Sequence, residues 1–177
     1  MTGYSAQRVT GGSLAQCVRR AELSLNPGAN CSRGIDFPSL GELPPPGAGF
    51  AELLGYDLDR GEVTTDQKVR LTPHWQAINE EPLTASYTVF TYLLSQDRRL
   101  IGQHDGIPAG GERPTTSWVL GEVIADMHEM EFSDLGYRGR ALIEVGLYES
   151  FTIERVPTEK GSDHLILPSE VVVEGER

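Results

Sequence analysis

The side chains best suited to chemistry lie in one polar stretch from Gln103 to Asp126. Asp105, Glu122 and Asp126 carry the carboxylate oxygens that a hard cation such as calcium prefers. A competing interpretation is that Asp105 and Thr115 cap the backbone of a long ordered loop, as Asx and Ser/Thr turns do. A calcium site and a ligand groove therefore stay open beside a purely structural loop.

Large aromatic side chains could contribute to ligand binding, because an aromatic ring at the surface can stack on a sugar ring. In a β-sandwich, however, one tryptophan usually fills the core. We expect Trp75 and Tyr148 to pack in the core, and Trp118, which follows the polar stretch, to be the candidate for exposure. The candidate ligand-binding residues are Gln103, Asp105, Trp118, Glu122 and Asp126.

The sequence contains none of the common catalytic or cofactor-binding motifs. The histidines are scattered and form no HExxH pair, and there is no nucleophile elbow, P-loop or dinucleotide fingerprint. This favours a protein that is not an enzyme and needs no cofactor, calcium excepted. A glycoside-processing enzyme using Asp105, Glu122 or Asp126 stays as an alternative, since paired carboxylates perform that reaction.

The two cysteines, Cys17 and Cys31, both lie in the N-terminal part of the chain. They are candidates for a small disulfide loop formed in an oxidising compartment, and the alternative is two unrelated thiols. No histidine or further cysteine stands nearby at zinc spacing.

Short apolar runs separated by turn residues begin at Leu53 and continue to Val173. They predict an antiparallel all-β sandwich, Ig-like or jelly-roll-like, over 53–177. The predicted strands are 53–58, 67–77, 85–95, 100–104, 117–126, 141–148, 152–156, 164–167 and 170–173.

Residues 1–52 are rich in Gly, Pro, Ser and Asn and predict an irregular extension. A short helix is expected from Ser13 to Leu25, with Leu14, Val18 and Ala21 on one face. The Pro44-Pro45-Pro46 run favours an extended linker into the domain.

The net charge of −11 excludes some partners. The first 52 residues are balanced, so all the excess negative charge lies beyond them. Without a basic patch, nucleic acid and anionic lipid are poor partners. No apolar run is long enough to insert into a membrane, and no signal peptide is visible, so we expect either an internal protein or a segment whose targeting element lies outside it.

The order and spacing of several short sequence motifs resemble those of a known family. These motifs are Tyr87 to Leu94, Ile101 to Asp105, Pro108, Gly110-Gly111, Pro114-Thr115, Trp118, Gly121 to Val123, Asp126, Val145 to Tyr148 and Glu154-Arg155. Between Leu53 and Val173 the chain is similar to an accessory β-sandwich domain attached to bacterial membrane glycosyltransferases of the protein-mannosyltransferase and aminoarabinose-transferase type. The resemblance implies an extracytoplasmic, water-exposed module. It does not imply transferase activity, because the membrane helices and catalytic acidic loop of such transferases are absent. Residues 134–139 also depart from the turn sequence that the family would have at this place.

These observations together predict a non-catalytic module that recognises glycan or has an accessory role in cell-envelope glycosylation. Its expected partner is a glycan or an envelope protein. The alternative from another class is a structural subunit of a cell-surface assembly, which would present an exposed apolar patch or strand edge.

Overall fold

The fold is known from a computed structural model, which describes residues 49–158 and 161–175 together with the backbone of 14–15 and 39–40. Most of it is strand. In chain order the strands are β1 (Leu14–Ala15), β2 (Ser39–Leu40), β3 (Ala51–Leu58), β4 (Glu62–Val63), β5 (Val69–Ala77), β6 (Tyr87–Leu94), β7 (Leu100–Gly106), β8 (Val123–Ala125), β9 (His128–Phe132), β10 (Gly139–Glu149) and β11 (Leu165–Val173). Two single-turn 3₁₀ helices, Ala109–Gly111 and Thr115–Ser117, interrupt the loop between β7 and β8.

The strands form one curled, mixed sheet that resembles half of a barrel. Their hydrogen-bonded order is β1-β3-β5-β9-β7-β6-β10-β11-β4, with β2 added to β3 and β8 added to β5. Only β4 and β11 run parallel, whereas the other pairs are antiparallel. The all-β prediction is confirmed, and the finer prediction of a two-layer sandwich stays a prediction.

The core lies on one face of the curled sheet. Strand β5 alternates Val69, Leu71, Trp75 and Ala77, all buried, with more exposed residues between them. This is the period-2 pattern of a strand with one face on the core. Trp75 is fully buried, as predicted.

Several predicted elements are wrong in detail. Leu14–Ala15 is a strand paired with β3, so a helix does not cover these two residues. The strand expected over 117–126 is a 3₁₀ turn followed by the short β8, and the two final predicted strands are one continuous β11. Strand β9 was not predicted, and 152–156 is a turn with a single bridge to β10.

Other predictions lie outside the described residues: the remainder of the 13–25 helix, the Pro44-Pro45-Pro46 linker and the Cys17–Cys31 disulfide. Among the residues that the structure does describe, none belongs to a helix with the length and apolarity needed to cross a bilayer.

Candidate functional site

Three central strands, β6, β7 and β10, present polar and aromatic side chains on the sheet face opposite the core. Tyr92 pairs with Gln103 of β7, and Phe90 pairs with Asp105. On the other side of β6, Thr88 pairs with Tyr148 of β10. Because side chains alternate along a strand, these residues share one face while their neighbours enter the core.

We call Tyr92, Gln103, Asp105, Tyr148 and Arg155 the outer strip. Arg155 joins it from the turn after β10, where it forms an isolated bridge with Tyr148. Gln103 and Asp105 are exposed, and the other three are half-buried. The strip therefore combines rings, an amide, a carboxylate and a guanidinium at one solvent-facing surface.

The ring of Phe90 is the buried base of the outer strip. It lies against Gly146, where no side chain intervenes, and its centroid is 4.8 Å from that of Tyr92 and 6.3 Å from that of Tyr148. The Arg155 guanidinium carbon lies 4.4 Å from the Phe90 centroid, a cation–π contact. These contacts fix the strip aromatics from below.

The Arg155 charge is already matched within the protein. Its Nη1 lies 3.3 Å from a carboxylate oxygen of Glu144 and 3.5 Å from one of Asp163. With Asp105 nearby, acidic groups outnumber the single cation, so the surface is electrostatically unfavourable for an anionic ligand.

Asp105 is exposed at the edge of the strip, but neighbouring protein atoms shield one side of its carboxylate. Burial raises its pKa, although the Tyr148 hydroxyl, which donates to Asp105 Oδ2 at 3.2 Å, acts in the opposite direction. Burial, followed by the charge of Asp105, raises the pKa of Tyr148 and Tyr92. A carboxylate with reduced hydration beside aromatic rings is a strong hydrogen-bond acceptor for a ligand.

A second constellation lies on the core side of β7 and β9, and we call it the histidine relay: Asp126, His128 and His104. Asp126 Oδ2 lies 2.8 Å from His128 Nε2, and His128 Nδ1 lies 2.8 Å from His104 Nδ1. Asp126 and His128 are each 1% exposed, whereas His104 is half-buried. Burial, and then the neighbouring His128, lowers the pKa of His104.

A depression of about 330 Å³ opens beside the relay. Its lining includes all three relay residues, Asp105 and Gly110. Asp105 therefore borders both the depression and the outer strip, and the two features are neighbours along the end of β7.

Of the five predicted ligand-binding residues, two lie together on the outer face, and the other three are buried or bonded elsewhere in the protein. Gln103 and Asp105 are brought together, two residues apart on one strand face. Trp118 is 3% exposed, and its indole N–H donates to the Arg113 carbonyl at 2.9 Å, so the prediction of an exposed ring is wrong. The ring packs near Phe50, because the 3₁₀ turn before it directs the side chain inward.

The other two carboxylates are occupied within the protein. Glu122 accepts a hydrogen bond from Arg113 Nη2 at 2.6 Å and one from the Val119 amide. Asp126 belongs to the relay and also accepts from the Ala109 amide at 2.8 Å. Across residues 49–158 and 161–175, no three His, Cys, Asp or Glu side chains form a group that could hold a metal ion, so Asp105, Glu122 and Asp126 do not form a calcium cage.

Sequence reasoning missed Tyr92, Arg155 and the pairing of His104 with His128, and it assigned Tyr148 to the core. Tyr148 is instead half-buried on the outer face. Adjacent residues of a strand face opposite sides of the sheet, so the core position of Leu147 predicts that Tyr148 faces outward. The histidine pairing joins residues 24 positions apart and depends on where β9 lies in the sheet.

No protein-family model matches this chain, and the comparison with curated proteins finds no match. The geometry described above is therefore the basis for inferring function.

Proposed function

We propose that this protein is a non-catalytic recognition module that binds neutral glycan on the outer strip. The observation that supports this proposal is the alignment of Tyr92, Gln103, Asp105 and Tyr148 on one face of β6, β7 and β10. The module would be a β-sandwich, Ig-like or jelly-roll-like, with an extracytoplasmic, accessory role in cell-envelope glycosylation.

Sugar chemistry suits this surface in two ways. The C–H faces of a pyranose pack on aromatic rings, as Tyr92 and Tyr148 would allow, and the rings are already held by Phe90. Sugar hydroxyls can donate to the Asp105 carboxylate and exchange hydrogen bonds with the Gln103 amide. The excess of acidic groups around Arg155 favours neutral over anionic sugars.

The test is a glycan array followed by titration of the best glycan. Tyr92→Ala should weaken binding roughly fivefold to tenfold, because a stacked ring contributes about 1 kcal/mol. Tyr137→Ala is the matched control, since Tyr137 is also half-buried but lies outside the strip. An array with no bound glycan, or equal binding by the two variants, would refute the proposal.

A structural or interaction subunit is the second candidate, and the turn after β10 favours it. Phe151 is 92% exposed and Ile153 is 62% exposed. Exposed apolar side chains on one turn are a feature of contact surfaces. Light scattering would show self-association that Phe151→Ser abolishes, and a strictly monomeric wild type would exclude assembly through this turn.

A further inference from the structure

The histidine relay lies at a seam in the curled sheet. The first half of β9 pairs with β5, as in Leu71 with His128, and its second half pairs with β7 through Gly102 with Phe132 and Gln103 with Glu131. Beyond Gln103 the backbone ladder between β7 and β9 ends. At this open end the His104 and His128 rings connect the two strands.

The bond between the rings depends on how many protons they share. Asp126 is an acceptor, so the His128 Nε2 that faces it carries hydrogen. The contact between the two Nδ1 atoms then requires one hydrogen, supplied by either ring. The pair therefore tolerates a neutral state and a singly charged state, but when both rings are cations two N–H groups oppose each other and the bond is lost.

The relay also holds the loop that borders the depression. Asp126 Oδ1 accepts from the amide of Ala109, which has a φ of 55°, and Gly110 and Gly111 follow with φ values of 64° and 92°. Alanine adopts this left-handed region only at a cost of about 1–2 kcal/mol. The hydrogen bond from Asp126 therefore helps to maintain an otherwise unfavourable backbone conformation.

Acidic groups surround the two rings. Asp105 on β7 and Asp126, Glu129 and Glu131 on or next to β9 all interact electrostatically with His104. These charges favour protonated His104, but burial and the neighbouring His128 outweigh them and lower its pKa. Glu129 and Glu131 are themselves paired with Arg70 and Lys68, which weakens their effect on the ring.

We propose that the histidine relay is a proton-operated latch, which holds the Ala109–Gly111 turn at the rim of the depression until both rings are protonated. Repulsion between two cationic rings would separate His104 from His128. Because a cationic His128 keeps its bond to Asp126 Oδ2, its displacement would carry the carboxylate away from the Ala109 amide and open the seam between β7 and β9. This inference does not depend on glycan binding by the outer strip.

The test combines imidazole ¹⁵N spectra with amide hydrogen exchange from about pH 7.5 down to about pH 4, because burial lowers the pKa of His104 below the ordinary histidine value. After correction for intrinsic exchange chemistry, protection of the Ala109 amide should fall roughly tenfold or more, alongside loss of the bridging Nδ1 hydrogen. His104→Gln should remove this pH dependence, because an amide can either donate to or accept from His128.

His164→Gln is the control, because His164 pairs with Asp163 away from the relay and its loss should leave the Ala109 response intact. The wild-type spectra test the latch even if His104→Gln fails to fold. Two rings that both become cationic while Ala109 stays protected would overturn the proposal. So would an unchanged pH response in a folded His104→Gln variant.

Discussion

Replacing Gly146 with alanine should displace the Phe90 ring and disturb the outer strip from below. A Cβ at this position would lie 2.5 Å from Phe90 Cζ and 2.7 Å from Cε1, and 3.2 Å from the Asp163 carbonyl oxygen. Carbon atoms prefer separations of about 3.5–4.0 Å, so the ring must retreat by roughly 1 Å. The Arg155 guanidinium already covers this ring, which limits the space for adjustment.

Overpacking of this kind costs about 1–3 kcal/mol. We expect a lower urea midpoint, and a thermal midpoint reduced by about 2–4 °C for each kcal/mol. Glycan affinity should also fall, because Tyr92 and Tyr148 contact the displaced ring. Gly61→Ala is the matched control, since an added Cβ there meets no atom within 4 Å. Equal stability and equal binding for the two variants would refute the reasoning.

Substitutions at three further positions have defined outcomes. Trp118→Ala should cost about 3–5 kcal/mol of unfolding free energy by leaving a core cavity, whereas Trp118→Phe in a folded protein should leave the glycan dissociation constant unchanged. Asp105→Asn should weaken glycan binding about tenfold, because a neutral amide oxygen accepts hydrogen bonds less strongly than a carboxylate. Partial burial raises the folded-state pKa of Asp105, so its contribution to stability falls as pH rises from its unfolded-state pKa to the folded one. The substitution should therefore raise the unfolding midpoint at neutral pH only slightly, since solvent screens this exposed group, and the gain should disappear below that pH range. Ile153→Gly should raise stability by about 1 kcal/mol, because Ile153 is β-branched and has a φ of 63°; a lower midpoint would contradict strain at this turn.

The sequence predicted the elements whose residues alternate clearly. Strand β5 follows its apolar pattern, and the strongly β-branched and aromatic β6 lies in the middle of the sheet as expected. Strand β9 also alternates, but it escaped prediction because its five residues include only two apolar side chains, Met130 and Phe132. Strand β11 was predicted as two strands because Pro168 and Ser169 resemble a turn.

Prediction of the site succeeded only where it depended on local spacing. Gln103 and Asp105 share a face because they are two residues apart on one strand. Trp118 was assigned to the surface because neighbouring polar residues do not reveal the 3₁₀ turn that directs it inward. The histidine relay and the position of Arg155 over Phe90 require tertiary register, which a single sequence does not specify.

The most direct test of the outer strip is to locate a bound neutral glycan by amide and aromatic NMR shifts. Recognition by this surface predicts the largest changes at Tyr92, Gln103, Asp105 and Tyr148, together with their loss in Tyr92→Ala while Tyr137→Ala behaves as wild type. Saturable binding whose shifts cluster elsewhere, with these four residues unchanged, would contradict the account.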